Sequence, residues 1–243
     1  MRTIYTDNKN KQQLLEIKAG QTGHGLLIEH DGHIIGKKDT IQQIKEDIDN
    51  GHKFVIPDDF IVSAVFQKYG IKNANGRIYP ENILKREVQK YLENQVANHC
   101  AIGALDHPSA STLSGHDVTH NILDLRWQGR TLVGEMKLHL SPGYKRYGIC
   151  STSGDLVANM LLDNIQIGVS SRAVGSVEEK LGVLMVGDDL ELVGWDVVIE
   201  NSTPGAKIGF DMSDLQQYIE SDETKTQKQL VSEKLQRIQK ILL

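Results

Sequence analysis

The sequence predicts an α+β fold, mostly antiparallel strands with a few helices packed around them. Three observations carry this. From Thr131 to Leu140 the chain alternates. Leu132, Gly134, Met136, Leu138 and Leu140 share one face and Val133, Glu135, Lys137 and His139 the other, the period-2 pattern of a half-buried strand. Ile167 to Val177 is apolar and β-branched at both ends and is bracketed by Gly168 and Gly175. Pro80 to Val96 steps at helical spacing instead. Ile83, Leu84, Val88, Tyr91 and Leu92 make its apolar face, and lysines, Arg86 and Glu87 cover the other.

At 243 residues the chain is long enough for one sizeable domain, or one domain with extensions. A hydrophobic content of 39% with only 5% aromatics suits a soluble mixed protein with an aliphatic core. The net charge of -5 argues against a general nucleic-acid binder, which needs a basic face to neutralise phosphates. No stretch approaches the ~20 apolar residues of a membrane span. Met1 to Lys11 is polar and does not read as a secretory signal. Cys100 and Cys150 show no metal or redox spacing, so they are expected to be reduced, buried or semi-buried thiols of a cytosolic protein.

Residues 1–59 read as an N-terminal extension with weak structure of its own. Gly25 to His30 and Asp31 to Ile35 give a hairpin signal around Asp31-Gly32. Asp39 to Asp49 reads as a helix stopped by Asn50-Gly51, with Ile41, Ile44 and Ile48 at helical spacing. His24, His30 and His33 cluster here. No carboxylate or cysteine lies at a ligand spacing from them, so they are read as solvent-facing.

Phe60 to Val65 is a short apolar strand. Asn75-Gly76 is a turn signal, and Pro80 opens the following helix. Ala101 to Leu105 is a strand that runs into Asp106-His107-Pro108. Asn121 to Trp127 and Thr131 to Leu140 form a hairpin over Gln128-Gly129-Arg130, which Ser141-Pro142-Gly143 ends. Asp155 to Ile165 reads as a helix with Ser153 as its cap. Leu181 to Val186 and Leu190 to Ile199 read as a further hairpin. Pro204-Gly205 closes the compact part. The tail, 213–243, is polar, with Val231, Leu235, Ile238 and Leu242 on a helical seam able to dock on the body or on a partner helix.

Three side chains are awkward where they stand. Ser170 lies in mid-strand beside Ser171 and Arg172, where sheet formation asks for none of them. It is either one of several serines on a surface strand or a nucleophile. His107 sits at a strand exit before a proline, either as an exposed turn residue or within reach of another strand. Asp196 is a carboxylate on a strand apolar on both faces, so it must be neutral or paired with a histidine, an arginine or a lysine. Together they compose a Ser-His-Asp set. A serine hydroxyl needs an imidazole to take its proton, and the imidazole needs a carboxylate to fix its tautomer. Arg172 is the candidate oxyanion donor, through its backbone N–H or its guanidinium. His116 and His120 are four apart, but Gly115 to Thr119 is a poor helix and no Glu follows His116, which weighs against a zinc site. No cofactor and no metal are expected.

Four blocks in order carry a family resemblance: Asn-x-Asn-Gly-Arg-x-Tyr-Pro (73–80), Asp-His-Pro (106–108), Gly-Val-Ser-Ser-Arg-x-x-Gly-Ser (168–176) and Trp-Asp-Val-Val (195–198). They resemble the prohead core protein proteases of T-even-like tailed phages, themselves similar in fold and mechanism to the herpesvirus maturation protease, assemblin. The resemblance covers roughly residues 60 to 206. It implies a serine protease domain over 60–212 with a barrel-like β core and surrounding helices, Ser170 as nucleophile, His107 as general base and Asp196 as the orienting acid. Two positions depart from the family pattern, Ala173 standing for Gly and Asn201-Ser202 for Pro-Ser, and neither removes a catalytic group.

The resemblance further implies maturation of a viral procapsid, from inside it and within the host cytoplasm. The protease would cleave scaffold or core proteins, major capsid proteins and itself, and its latent form would be a zymogen. A homo-oligomer is left open. Relatives favour a Glu before the cut, which marks Glu16 and Glu29, and more loosely Glu220, as self-cleavage positions, and makes 1–59 a candidate propeptide. Two other readings stay in play. One is a non-catalytic capsid-core or scaffold protein that keeps the fold. The other is a metal-dependent hydrolase using His107, His116 and His120.

Overall fold

A computed structural model describes residues 3–6, 13–36, 46, 50, 56, 59–108, 113–163 and 165–199, with backbone alone for 3–6, 13, 14 and 30–36. The helix expected over 39–49, the 213–243 tail with its seam, and Glu220 lie outside the described residues, apart from Glu46. No helix among the described residues is long and apolar enough to cross a membrane.

Two strands, β1 (Thr3–Thr6) and β2 (Gln13–Leu15), pair antiparallel on their own. The other nine described strands form one sheet. They are β3 (Gly23–Gly36), β4 (Ile61–Lys68), β5 (Arg77–Ile78), β6 (Ile102–Ala104), β7 (Val118–Gln128), β8 (Thr131–Leu138), β9 (Gly168–Lys180), β10 (Val183–Val186) and β11 (Glu191–Val198). Their order is β5-β10-β9-β3-β4-β8-β7-β6, with β11 also on β9. Every pairing in it is antiparallel except β5 with β10. The helices are α1 (Glu81–Tyr91), which runs on through one π-helical turn at Leu92–Val96, α2 (Pro142–Tyr147) and α3 (Ser153–Leu162).

The N-terminal expectation needs correction. Residues 23–36 are not a hairpin in an extension but one strand at the centre of the sheet, between β9 and β4. The Asp31-Gly32 signal belongs to a bulge. Glu29 faces Ser171 and Gly32 faces Val169, so β3 carries one extra residue there. Past the bulge the strand bends to take up β4 through His33 to Gly36. An Asp-Gly pair serves a turn and a bulge equally well, so local chemistry did not separate the two.

The C-terminal hairpin is corrected as well. β10 and β11 do not pair with each other; they run one after the other along the same edge of β9. Their connecting loop is pinned to β9 by Asp189, whose carboxylate accepts from Ser176 N–H (3.0 Å) and Ser176 Oγ (2.7 Å). The barrel expected from the family resemblance is not closed. The sheet curls until the end of β6 reaches β11, where a single parallel bridge joins Leu105 to Val197. The Asp106 N–H donates to Val197 O at 2.7 Å.

The core lies inside this curl. Trp195 is fully buried and receives edge contacts from Phe66 (5.3 Å) and Tyr91 (5.0 Å), each contributing roughly 0.5–1.5 kcal/mol beyond burial. The expected apolar face of α1 is the one buried, with Glu87 added to it. Glu87 packs inward and accepts from the Leu192 N–H at 3.5 Å, which fastens α1 to β11. Gly103 on β6 permits the closest approach in the seam. A Cβ there would stand 2.1 Å from Trp195 O and 2.4 Å from the His120 ring. Ser141 does end β8, but as the N-cap of α2, and Thr152 rather than Ser153 caps α3. Cys100 and Cys150 are free and exposed, not buried.

Candidate active site

The register of β9 against β11 sets the site. Asp196 lies directly opposite Ser170, so both side chains rise from one face of the sheet. Arg172, two residues beyond Ser170, rises from that face too. Gly194 is opposite Arg172, and a Cβ there would stand 3.6 Å from the Tyr91 hydroxyl. The third element enters from β6. Asp106 adopts a left-handed conformation (φ 60°), which Asp tolerates, and this turn carries the chain over the strand pair. His107 then comes down between the other two groups.

Its Nδ1 lies 2.9 Å from Asp196 Oδ2 and its Nε2 lies 2.8 Å from Ser170 Oγ. A carboxylate accepts only, so Nδ1 carries the imidazole proton and Nε2 is left to accept from the Ser170 hydroxyl. The three residues selected from the sequence are therefore brought together in a continuous relay. Ser171 is not part of it. Its side chain faces the other way, across from Trp195, and its buried hydroxyl has no partner among the described residues.

Asp196 is completely buried and accepts four hydrogen bonds. Oδ2 receives His107 Nδ1–H and Arg172 Nε–H (2.9 Å). Oδ1 receives the Ala104 N–H (3.1 Å) and Arg172 Nη2 (3.3 Å). Burial pushes its pKa up, but the bonds from His107 and the charge and bonds of Arg172 outweigh it and hold the carboxyl below its ordinary value. The sequence left Asp196 a choice between a histidine and an arginine as partner; it has both. Arg172, the expected oxyanion donor, has other partners in this structure. Its guanidinium is taken by Asp196, and its backbone is paired with Ile28 on one side and Gly194 on the other.

His120 is the group the sequence did not place. It lies fully buried under the β6–β11 seam, its Nδ1 2.8 Å from Thr119 Oγ1, which in turn donates to Gly103 O at 3.2 Å. His116 is exposed on a turn, and among the described residues no three His, Cys, Asp or Glu side chains are grouped as metal ligands. His24 is exposed and lies 3.6 Å from Asp189; the side chains of His30 and His33 are outside the described residues.

Burial pushes the His120 pKa down from 6.5 to about 4, although the nearby Asp196 charge pulls the other way. The unfolded chain then binds this proton first as pH falls. Stability from neutral His120 is full above 6.5 and is lost progressively between 6.5 and 4, about 3 kcal/mol in all. Asp196, with a lowered pKa, adds its loss only below about 3.8. Urea unfolding of Ser170→Ala protein from pH 7.5 to 4 is expected to show that decline, and His120→Gln to flatten it. Equal slopes in the two proteins would remove His120 as the cause.

The 73–80 block has no part in this relay. Its polar groups converge on Glu29 of β3, buried beside β9. Oε1 accepts from Arg77 Nη1 (2.7 Å) and Tyr79 OH (2.9 Å), and Oε2 from Asn73 Nδ2 and Asn75 Nδ2 (both 2.6 Å). Arg77 Nη2 also donates to Ile17 O. Glu29 faces Ser171 in the ladder, so this clasp fixes the strand that supports β9, which carries Ser170. Glu29, one of the expected self-cleavage positions, has its side chain clasped and its backbone paired inside the sheet in this conformation.

Comparison with known proteins identifies the family. Residues 21–216 match the family described as prohead core protein serine protease. The chain belongs to that family. The match starts well inside the stretch read as an extension, as β3 requires. The prohead core protein protease of Enterobacteria phage T4 is 28% identical over 207 residues, covering 81% of this chain and 84% of that one. A solved structure of the bacteriophage T4 capsid assembly protease shares the fold, with a TM-score of 0.56 and 24% identity over 71% of this chain and 96% of that chain. The chain is thus a protease of the prohead-maturation family.

Proposed function

We propose that this chain is a serine endopeptidase that matures phage proheads by cutting scaffold or core proteins, major capsid proteins and itself, inside the procapsid in the host cytoplasm. The observation that carries the reading is the Ser170–His107–Asp196 relay, with links of 2.8 and 2.9 Å. His107 Nε2 takes the Ser170 proton as Oγ attacks the scissile carbonyl. Asp196 holds the ring and balances the imidazolium. The imidazolium returns the proton to the departing amine, leaving an acyl-enzyme. A water then attacks that ester, giving its proton to His107, and Ser170 is regenerated when His107 hands the proton back.

The Ser170 hydroxyl is buried in this conformation, which supports a latent form that opens during assembly. Cleavage is proposed to follow Glu. Glu16 fits best as the N-terminal position, because Ile17 after it is already held by Leu26 and Arg77. A cut there removes β1 and β2 and leaves β3 in place. Glu220 is the C-terminal position.

Intact mass against time tests this on the full-length protein, alone and with scaffold protein. Trimming after Glu16 and Glu220, none after Glu29 and none in Ser170→Ala is the expected result. An unchanged mass in the presence of scaffold would move the non-catalytic capsid-core reading ahead.

A further inference from the structure

Arg172 has its guanidinium inside the site, bound to Asp196. It is 2% exposed and forks onto Asp196, Nε to Oδ2 at 2.9 Å and Nη2 to Oδ1 at 3.3 Å. The same Oδ2 receives His107 Nδ1–H. We propose that Arg172 is a positioning residue, whose fork keeps the Asp196 carboxylate ionised and oriented toward His107, and that it acts on the reaction only through that carboxylate. The proposal rests on the serine-protease reading above.

The physical need is plain. A buried carboxylate held only by a neutral imidazole and one backbone N–H would be driven toward its protonated form by desolvation. A protonated Asp196 has an O–H to place and ceases to be an acceptor that fixes the His107 tautomer. Arg172 supplies a permanent charge, and its planar fork sets the carboxylate plane, which a lysine cannot do. The other titratable groups around Asp196 do not replace it. His107 faces it from the end of β6, His120 from β7 and Tyr91 from α1. Burial keeps His120 neutral at ordinary pH and raises the Tyr91 pKa, so neither supplies a positive charge.

The test is the pH profile of kcat/KM for peptide cleavage in wild type, Arg172→Lys and Arg172→Gln. His107 must be unprotonated to act as base, and it titrates together with Asp196 as a coupled pair. Removing the Arg172 charge favours proton uptake by that pair and moves the acid limb to higher pH. Arg172→Gln is expected to move it by about one pH unit or more, and Arg172→Lys by less, with kcat lowered and KM unchanged in both. A uniform loss of about 10²–10³ in kcat with the limb in place is the mark of a lost oxyanion donor and would overturn the proposal.

A second measurement needs neither activity nor a change at Arg172. In folded, labelled Ser170→Ala protein the Arg172 Nε–H resonance is expected to be protected from exchange from pH 8 to 5. Rapid exchange with water would refute the fork. A wild type that cuts nothing defeats the protease reading instead, and the resonance still decides the pairing.

Discussion

Ser170→Ala is expected to lower kcat for peptide-bond cleavage by a factor on the order of 10⁶, while Ser171→Ala leaves it nearly unchanged. The first figure amounts to about 8 kcal/mol of transition-state stabilisation, at about 1.4 kcal/mol for each factor of ten. It is this large because the relay acts as a unit. With Oγ gone, His107 has no hydroxyl to deprotonate and Asp196 orients a base with no task. Ser171 is one residue away in sequence but on the opposite face, and its hydroxyl is buried without a partner among the described residues. Removing an unsatisfied buried hydroxyl costs little and can stabilise. Cleavage of a peptide substrate by the two purified variants beside wild type measures this. A dead Ser171→Ala with an active Ser170→Ala would shift the site by one residue and turn it to the other face of the sheet.

Asp196→Asn removes the acceptor that fixes the His107 tautomer, and a loss of about 10⁴ in kcat is the corresponding expectation. It also leaves the Arg172 charge buried without a counter-ion, so this variant loses stability where Ser170→Ala does not. A urea midpoint beside the kinetic measurement separates the two effects.

The relay was legible because each member breaks a local rule. Ser170 interrupts an apolar strand, His107 sits at a strand exit, and Asp196 is charged on a strand apolar on both faces. Such violations mark positions where the fold gives up local consistency for function. The setting of the relay was not legible. β3 carries ordinary turn chemistry at Asp31-Gly32, and only the competition between β9 and β4 for its two halves turns that pair into a bulge. β10 and β11 look like a hairpin until Asp189 reaches back to Ser176, a contact that no spacing reveals. The contact between Arg172 and Asp196 was not legible either, because sequence places Arg172 beside Ser170 and only the strand pairing brings it to Asp196.

The 73–80 block was legible as a motif and not as a structure, and it carries the largest expected effect on stability. Glu29→Ala removes the acceptor of four hydrogen bonds and leaves Arg77 as a buried charge without a carboxylate. Breaking one side of a buried ion pair costs about 3–5 kcal/mol. That is a large part of the roughly 5–15 kcal/mol that holds a domain folded. Tyr79→Phe removes only one bond and is expected to cost about 1 kcal/mol. Replacing Glu29 and Arg77 together by Met should cost less than the sum of the single changes, since no unpaired charge then remains. Urea midpoints in the Ser170→Ala background, where self-digestion cannot intervene, give each of these values. Because Glu29 lies across from Ser171, loss of the clasp also loosens the support of β9, and the folded fraction of Glu29→Ala in an active background should cleave more slowly at unchanged pH dependence. A Glu29→Ala protein within about 1 kcal/mol of its parent would show that the clasp does not hold β3, and the 73–80 block would then need another role.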